Sequence, residues 1–378
     1  MPKTKVVVNL PDASSYDVAI GTGILDSVGA RLRACEKTKN AAKILVLADA
    51  NAAPLYKERL LGSLSLASYK ARDITLPAGE AAKSTDVLVE VWRAMAQMGH
   101  GRDCIVVALG GGATCDSAGF AASTFMRGVG CAYVPTTLLS MVDASVGGKT
   151  AVNLPEGKNL VGTFTQPALV CADVDTLATL PDNEWKSGLA EIAKSSVIDS
   201  DEFFFWMCDN AELLAERDSQ ACFDAIVKSV VFKANIVASD VREQNGVRES
   251  LNYGHTYGHA LECLSGYSTY THGEGVAEGM RFAALLAQRL GMLEADVAVA
   301  QNDLLDELGL CELSWSETPE DVLRAMKSDK KVRAGALRFV LPKDIGECVT
   351  CSVADNAVLD ALREFFANKK VGNKNAQK

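Results

Sequence analysis

Apolar residues are distributed differently in the two halves of the chain. In the first half, positions 6–10 and 16–20 read as strands, and Ile24, Leu25, Val28 and Leu32 then repeat at helical spacing. The runs 43–48 (KILVLA) and 104–109 (CIVVAL) are continuous and short, as strands buried on both faces require, and Val87, Leu88, Val91, Trp92 and Met95 outline an amphipathic helix between them. This alternation predicts a mainly parallel, Rossmann-like sheet with helices on both faces. After Leu180-Pro181-Asp182 the strand signals almost vanish. Asp182 suits an N-cap for a helix bearing Trp185, Leu189 and Ile192, and helical patterns follow to about residue 326 apart from a loop at 265–271. Only 337–341 and 347–351 read as later strands. The expectation is an α/β N-terminal domain over 1–183, a mainly α-helical C-terminal domain over 184–366, and a disordered Lys- and Asn-rich tail over 367–378. No internal repeat is present.

Composition narrows the partners. The chain has 378 residues, 48% hydrophobic and 23% charged, as in a folded globular protein rather than a disordered one. A formal net charge of -10 argues against a nucleic-acid backbone as the main partner, although a local cluster of Lys and Arg can still hold a small anion. No apolar run approaches the ~20 residues of a membrane span, and the N-terminus enters a Val run with no signal-peptide core. The eleven cysteines are an odd number without a short framework, which predicts reduced thiols and a cytoplasmic protein. The single CxxC, Cys348 to Cys351, lies in an alternating apolar stretch and reads as strand.

Candidate chemistry is concentrated late in the chain, where three of the four histidines fall within eighteen positions. On a helix His255 and His259 would leave the same face one turn apart, which suits a divalent metal, or one ligand with a polar group beside it. Thr256 stands where a zincin motif needs Glu. His272 precedes a periodic run (Val276, Met280, Ala283, Ala287, Leu290) and so falls near a helix start. Upstream, GLAEIAK puts Glu191 and Lys194 on one helical face, and Glu191 with His255 and His272 would complete a three-ligand zinc site with an open position. Lys233, Arg248 and Lys330-Lys331 add cations suited to a carboxylate or phosphate.

In the first half, Leu109-Gly110-Gly111-Gly112 closes a buried strand and leads into Ala113-Thr114-Cys115-Asp116, a partial match to the dinucleotide fingerprint in which Cys115 takes the third glycine's place. Glu80 and Lys83 follow a Pro-Ala-Gly loop and suit ribose and phosphate oxygens or, equally, a helix-start ion pair. Thr136 and Thr137 offer hydroxyls after a strand. The stretch 143–150 ends like a P-loop, but Asp143 occupies the first glycine's position, so an ATPase reading fails. There remains a glycine-flexed loop with a carboxylate and Lys149, followed by Lys158 and Asn159, groups able to bind phosphate oxygens.

From residue 16 to about 365 the chain resembles the 3-dehydroquinate synthase family of sugar phosphate cyclases. The resemblance rests on GGGATCDSAGF, RGVGCAYVPTTLLSMVDASVGGKTAVN, KNLVGTF, GLAEIAK, RESLNYGHTYGHALE, HGEGVAEGM and SDKK, in that order. It implies conversion of 3-deoxy-D-arabino-heptulosonate 7-phosphate to 3-dehydroquinate and phosphate in the shikimate pathway of aromatic amino acid biosynthesis. The implied route is transient oxidation with NAD, phosphate elimination, re-reduction and aldol closure, on zinc or cobalt. The same resemblance implies metal on Glu191, His255 and His272. It places NAD against Asp49, Glu80, Lys83, Gly111, Gly112, Asp116, Thr136, Thr137, Leu139, Asp143, Lys158, Thr179 and Leu180. The implied substrate contacts are Lys194 and Lys233 at the hydroxyls with Asp143, Arg248 at the carboxylate, Lys149, Asn159, Asn252, His259 and Lys331 at the phosphate, and Arg127 given across a homodimer interface. The implied catalytic set is Asp143, Lys149, Lys194, Lys233, Glu243, Arg248, Asn252 and His259. The segment 240–248 carries one residue more than the family pattern, with Glu243 rather than Gln244 at its acidic position. A related cyclase acting on an uncarboxylated heptulose 7-phosphate, or a metal-dependent polyol dehydrogenase, are the competing readings.

Overall fold

A computed structural model describes residues 3–266, 269–328 and 337–375. The chain divides into two compact units, Met1–Pro181 with Cys222–Arg242, and Asp182–Ala221 with Glu243–Lys378.

The first unit is built on a seven-stranded sheet of order β1-β2-β9-β6-β5-β3-β4. Its strands are β1 (Lys3–Asn9), β2 (Ser15–Gly21), β3 (Lys43–Asp49), β4 (Lys70–Leu76), β5 (Ile105–Gly110), β6 (Gly130–Pro135) and β9 (Leu169–Asp173), with the hairpin β7 (Lys149–Leu154) and β8 (Gly157–Phe164) forming a separate sheet. Only β1 and β2 pair antiparallel; the other neighbours are parallel. Every residue of β5 is buried, which is why that run reads as continuously apolar. Helices α1 (Val28–Ala34), α2 (Ala53–Leu66), α3 (Thr85–Gln97) and α4 (Gly112–Thr124) follow strands as the periodicity predicts. After β3 the chain runs outward to β4, then returns to the other side of β3 as β5. The carboxyl ends of β3 and β5 therefore flank the point where strand order reverses, the place where open α/β sheets take ligands. Strand β4 has mixed burial along its length, as an edge strand does, and its apolar pattern is correspondingly faint.

The second unit is mainly helical: α5 (Asp182–Asp199), α6 (Asp201–Asp209), α7 (Ala211–Ala215), α9 (His255–Leu264), α10 (His272–Arg289), α11 (Ala295–Glu307), α12 (Pro319–Ser328) and α13 (Asp355–Asn375). The two later strands predicted are β10 (Leu337–Asp344) and β11 (Glu347–Val353), an antiparallel pair that contains Cys348 and Cys351. Between α7 and α9, α8 (Ser219–Ser239) lies mostly in the first unit, so a single division near residue 183 does not describe the packing. Its helical period announces a helix but not the unit on which its apolar residues dock. Residues 367–375, whose Lys and Asn content suggests a loose tail, continue α13, and Lys369 pairs there with the buried Glu278.

Candidate metal centre and nucleotide-binding turn

Three helices of the second unit meet through glycines. Gly254 adopts φ +77 before α9, a left-handed conformation that favours glycine. A Cβ at Gly258 would lie 2.7 Å from the Gly275 carbonyl oxygen, and one at Gly279 would lie 1.8 Å from that of Gly254. The backbones of α9 and α10 thus touch with no side chain between them. On its other side, Gly273 presses against α5, where an added Cβ would come 2.3 Å from Ser187 Cα, and its N–H donates to Ser187 Oγ at 3.0 Å. A capping box starts α10: Glu274 N–H donates to Thr271 Oγ1 at 3.3 Å and Thr271 N–H to Glu274 Oε2 at 2.8 Å. His272 is thereby held at the first position of α10.

These contacts bring Glu191 from α5, His255 from α9 and His272 from α10 into one cluster. Glu191 Oε1 lies 3.7 Å from His255 Nε2 and 3.5 Å from His272 Nε2. The other ring nitrogens face acceptors: His255 Nδ1 lies 3.0 Å from the Tyr253 carbonyl oxygen and His272 Nδ1 lies 2.9 Å from Glu262 Oε1. A carbonyl or an ionised carboxylate only accepts, so each Nδ1 carries a proton and Nε2 is the nitrogen left to ligate a cation. Glu191 is 1% exposed; Lys194 donates to its Oε2, while Oε1 is buried without a hydrogen-bond partner among the described residues. Three atoms able to ligate thus converge, the arrangement that a divalent cation satisfies. Burial would raise the Glu191 carboxyl, but Lys194 and His272 outweigh it and hold it at about 2. For His272 burial lowers the imidazole, and Glu191 and Glu262 reverse that to about 10, so without a cation its Nε2 also carries a proton, the one a divalent ion would displace. The cluster therefore carries a strong demand for positive charge.

Lys194, which donates to Glu191, and Arg248 are each 2% exposed. Asn252 Nδ2 donates to Glu243 Oε1 at 3.1 Å, whereas Gln244 is exposed. The His259 ring centroid lies 5.3 Å from that of His255 and 6.2 Å from that of His272, and His259 also falls within a second grouping of donors with Glu262 and His272. Lys331 lies outside the described residues.

In the first unit the glycine turn sits at the strand-order reversal. Gly110 ends β5 against Asp49, where an added Cβ would lie 2.7 Å from the Asp49 Cβ; Gly111 and Gly112 then open α4. The amides of the first helical turn have no partner four residues back and suit a phosphate. Thr136 N–H donates to the Gly110 carbonyl at 2.9 Å, and Thr137 Oγ1 lies 2.9 Å from Ser140 Oγ. Lys83, 4% exposed, donates to Asp116 Oδ2 at 2.6 Å and to Asn159 Oδ1, while Asn153 Nδ2 donates to Glu80 Oε2 at 2.6 Å. Thr179 Oγ1 lies 2.5 Å from Tyr56 Oη, next to the buried Leu180. Residues 143–159 form more than a flexed loop: Leu139 caps a short π-helical turn, Ser140–Ala144, that carries Asp143, and Lys149 and Lys158 lie on the hairpin β7–β8. Lys233 reaches Asp143 Oδ1 at 2.5 Å from α8.

The family models described as 3-dehydroquinate synthase N-terminal and C-terminal match residues 73–187 and 188–332. A 3-dehydroquinate synthase of Syntrophotalea carbinolica is 42% identical over 97% of this chain and 100% of its own length. The chain belongs to the 3-dehydroquinate synthase family. Two solved structures resemble it across nearly their whole lengths. A 2-deoxy-scyllo-inosose synthase complexed with carbaglucose-6-phosphate, NAD+ and Co2+ is 25% identical with a TM-score of 0.83, over 96% of this chain and 99% of that one. The 2-epi-5-epi-valiolone synthase of Streptomyces hygroscopicus, with NAD+ and Zn2+ bound, is 28% identical with a TM-score of 0.83, over 94% and 98%.

Apart from SDKK, of which only Ser328 is described, the motifs that carry the 3-dehydroquinate synthase resemblance lie in both units. Two features were missed in the sequence. Glu262 reads there as one charge in an apolar helical face, although its place seven residues after His255 puts it on the same side of α9. The glycine pairs 254/258 and 275/279 also went unread, yet their four-residue spacing is the sequence signal for a close helix crossing.

Proposed function

We propose that this family member is an active 3-dehydroquinate synthase, a phosphate-eliminating carbon–oxygen lyase that closes 3-deoxy-D-arabino-heptulosonate 7-phosphate to 3-dehydroquinate. The observation that carries the reading is the convergence of the buried Glu191 Oε1 with His255 Nε2 and His272 Nε2. Those three residues would hold zinc or cobalt, and the glycine turn with Asp49, Glu80, Lys83 and Asp116 would hold NAD. When bound, the cation supplies Lewis acidity and NAD a hydride acceptor that is regenerated within each turnover.

The chain's own groups bind and orient the substrate. Arg248 offers a rigid fork to the carboxylate, and Lys149, Asn159, Asn252, His259 and Lys331 offer donors to the phosphate. Lys194 and the Asp143–Lys233 pair would hold hydroxyls and move their protons, a role that their ion pairs with carboxylates support. Glu243, engaged by Asn252, takes the acidic position. Catalysis by such a set is chiefly positioning of one substrate through successive steps.

A homodimer fits the exposed surface of the first unit. Leu160, Val161 and Phe164 on β8 and Met126 beside Arg127 are 39% to 46% exposed, and Met126 and Arg127 hold φ of 52 and 68. Non-glycine residues persist in that region where surroundings impose it, and Arg127 would serve the partner's site. All eleven cysteines are free thiols and no helix among the described residues is long and apolar enough to cross a membrane, which supports a cytoplasmic enzyme.

The deciding experiment measures phosphate release from the carboxylated heptulose phosphate with NAD+ far below substrate. Many turnovers per NAD+, abolished by a chelator and restored by zinc or cobalt, are expected. NADH accumulating in step with product would contradict the scheme, and faster turnover of the uncarboxylated heptulose phosphate would favour the other cyclases.

A further inference from the structure

We infer that Glu262 is a positioning residue for the metal centre: its carboxylate accepts a hydrogen bond from His272 Nδ1–H and so aims Nε2 at the point that Glu191 Oε1 and His255 Nε2 also face. The inference rests on the metal reading of those three residues and adds a role for a fourth.

Glu262 is 5% exposed, on an apolar part of α9. Burying a carboxylate is costly unless a partner answers it, and Glu262 Oε1 meets His272 Nδ1 at 2.9 Å. A neutral imidazole has two tautomers, and only the one protonated on Nδ1 leaves Nε2 free to ligate. His255 has its tautomer set locally, by the Tyr253 carbonyl two residues earlier. His272 has no such help from its own segment: it opens α10 directly after the cap Thr271. Its orienting acceptor comes instead from the neighbouring helix, seven residues beyond His255. Helix α9 thus contributes one ligand and orients another, and the glycine contact between α9 and α10 sets the distance across which it does so. Carboxylate partners of this kind raise ligand basicity as well as fixing the ring.

The test compares Glu262→Ala and Glu262→Gln for zinc affinity by competition with a chromogenic chelator, in protein whose helical circular dichroism is unchanged. Removing such a partner weakens binding about 10–100-fold, and that loss is expected for alanine. Glutamine keeps an oxygen that accepts the same proton, so it should restore affinity to within about tenfold of wild type, the low end of that range. Equal affinity of the alanine variant and wild type would overturn the inference. So would equal and complete loss in both variants, which would make Glu262 a ligand in the grouping with His259. Failure of wild type itself to bind zinc would instead sink the metal reading. Should the alanine variant not fold, long-range 1H–15N spectra of zinc-loaded wild type decide: a proton on His272 Nδ1 supports the role, and one on Nε2 overturns it.

Discussion

A carboxylate oxygen shut away from water without a hydrogen-bond partner is costly to leave unanswered, and Glu191 Oε1 is such an atom among the described residues, with two imidazole nitrogens less than 4 Å away. Single-residue variants separate holding the cation from binding the substrate. His272→Ala should lose bound metal and activity together, by more than the ~10–100-fold typical of an outer partner, as read by metal content and phosphate release. Lys331→Ala and His259→Ala should keep the metal and raise KM; metal loss equal to that of His272→Ala would reverse those roles. A titration elsewhere gives a separate residue-scale expectation. Burial pulls the imidazole of His100, 7% exposed, below its ordinary value near 6.5. Below pH 6.5 the unfolded chain therefore binds a proton that the native chain refuses, so stability is full above that pH and falls as pH drops toward the lower native value. The thermal midpoint should decline less between pH 6.5 and 5 in His100→Gln than in wild type, and an identical decline would refute this.

At the scale of elements, the crossing of α9 and α10 and the contact of α10 with α5 set the geometry of the Glu191, His255 and His272 cluster. No side chain fits at Gly279 or Gly273 without moving backbone, because the nearest atoms to an added Cβ are main-chain atoms at 1.8 and 2.3 Å. Gly279→Ala should therefore cost about 1–3 kcal/mol, the usual range for overpacking, seen as a lower urea midpoint. It should also weaken zinc binding, because parting the helices separates His255 from His272. Gly291→Ala is the control: there an added Cβ meets nothing within 4 Å but must tolerate φ +67, so it should cost stability through backbone strain alone and leave zinc affinity intact.

For the whole molecule, a ligand that binds only the native state stabilises it by mass action. Zinc at about a hundred times its dissociation constant should add about 2.7 kcal/mol to unfolding, and a chelator should remove it. A melting midpoint that ignores both would argue against a folded-state metal site. Phe164→Glu places a charge in the exposed apolar strip of β8. If the proposed homodimer forms through this strip, light scattering should show a dimeric wild type and a monomeric variant, and an equal mass for both would overturn that interface.

Much of this was legible without coordinates, because period and chemistry are local properties. Continuous apolar runs identified β3 and β5, the 3.6-residue period identified α3 and α10, and the ligand types on GLAEIAK and HTYGH pointed to a cation. What the sequence could not convey is which distant faces meet. Helical period is the same whichever unit a helix docks on, so the place of α8 and the continuation of α13 had to come from packing. Glu262 is the sharpest case. A carboxylate among apolar residues in one helix becomes an orienting group only when another helix, held at backbone distance by four glycines, brings an imidazole to it, and that distance is a property of tertiary structure alone.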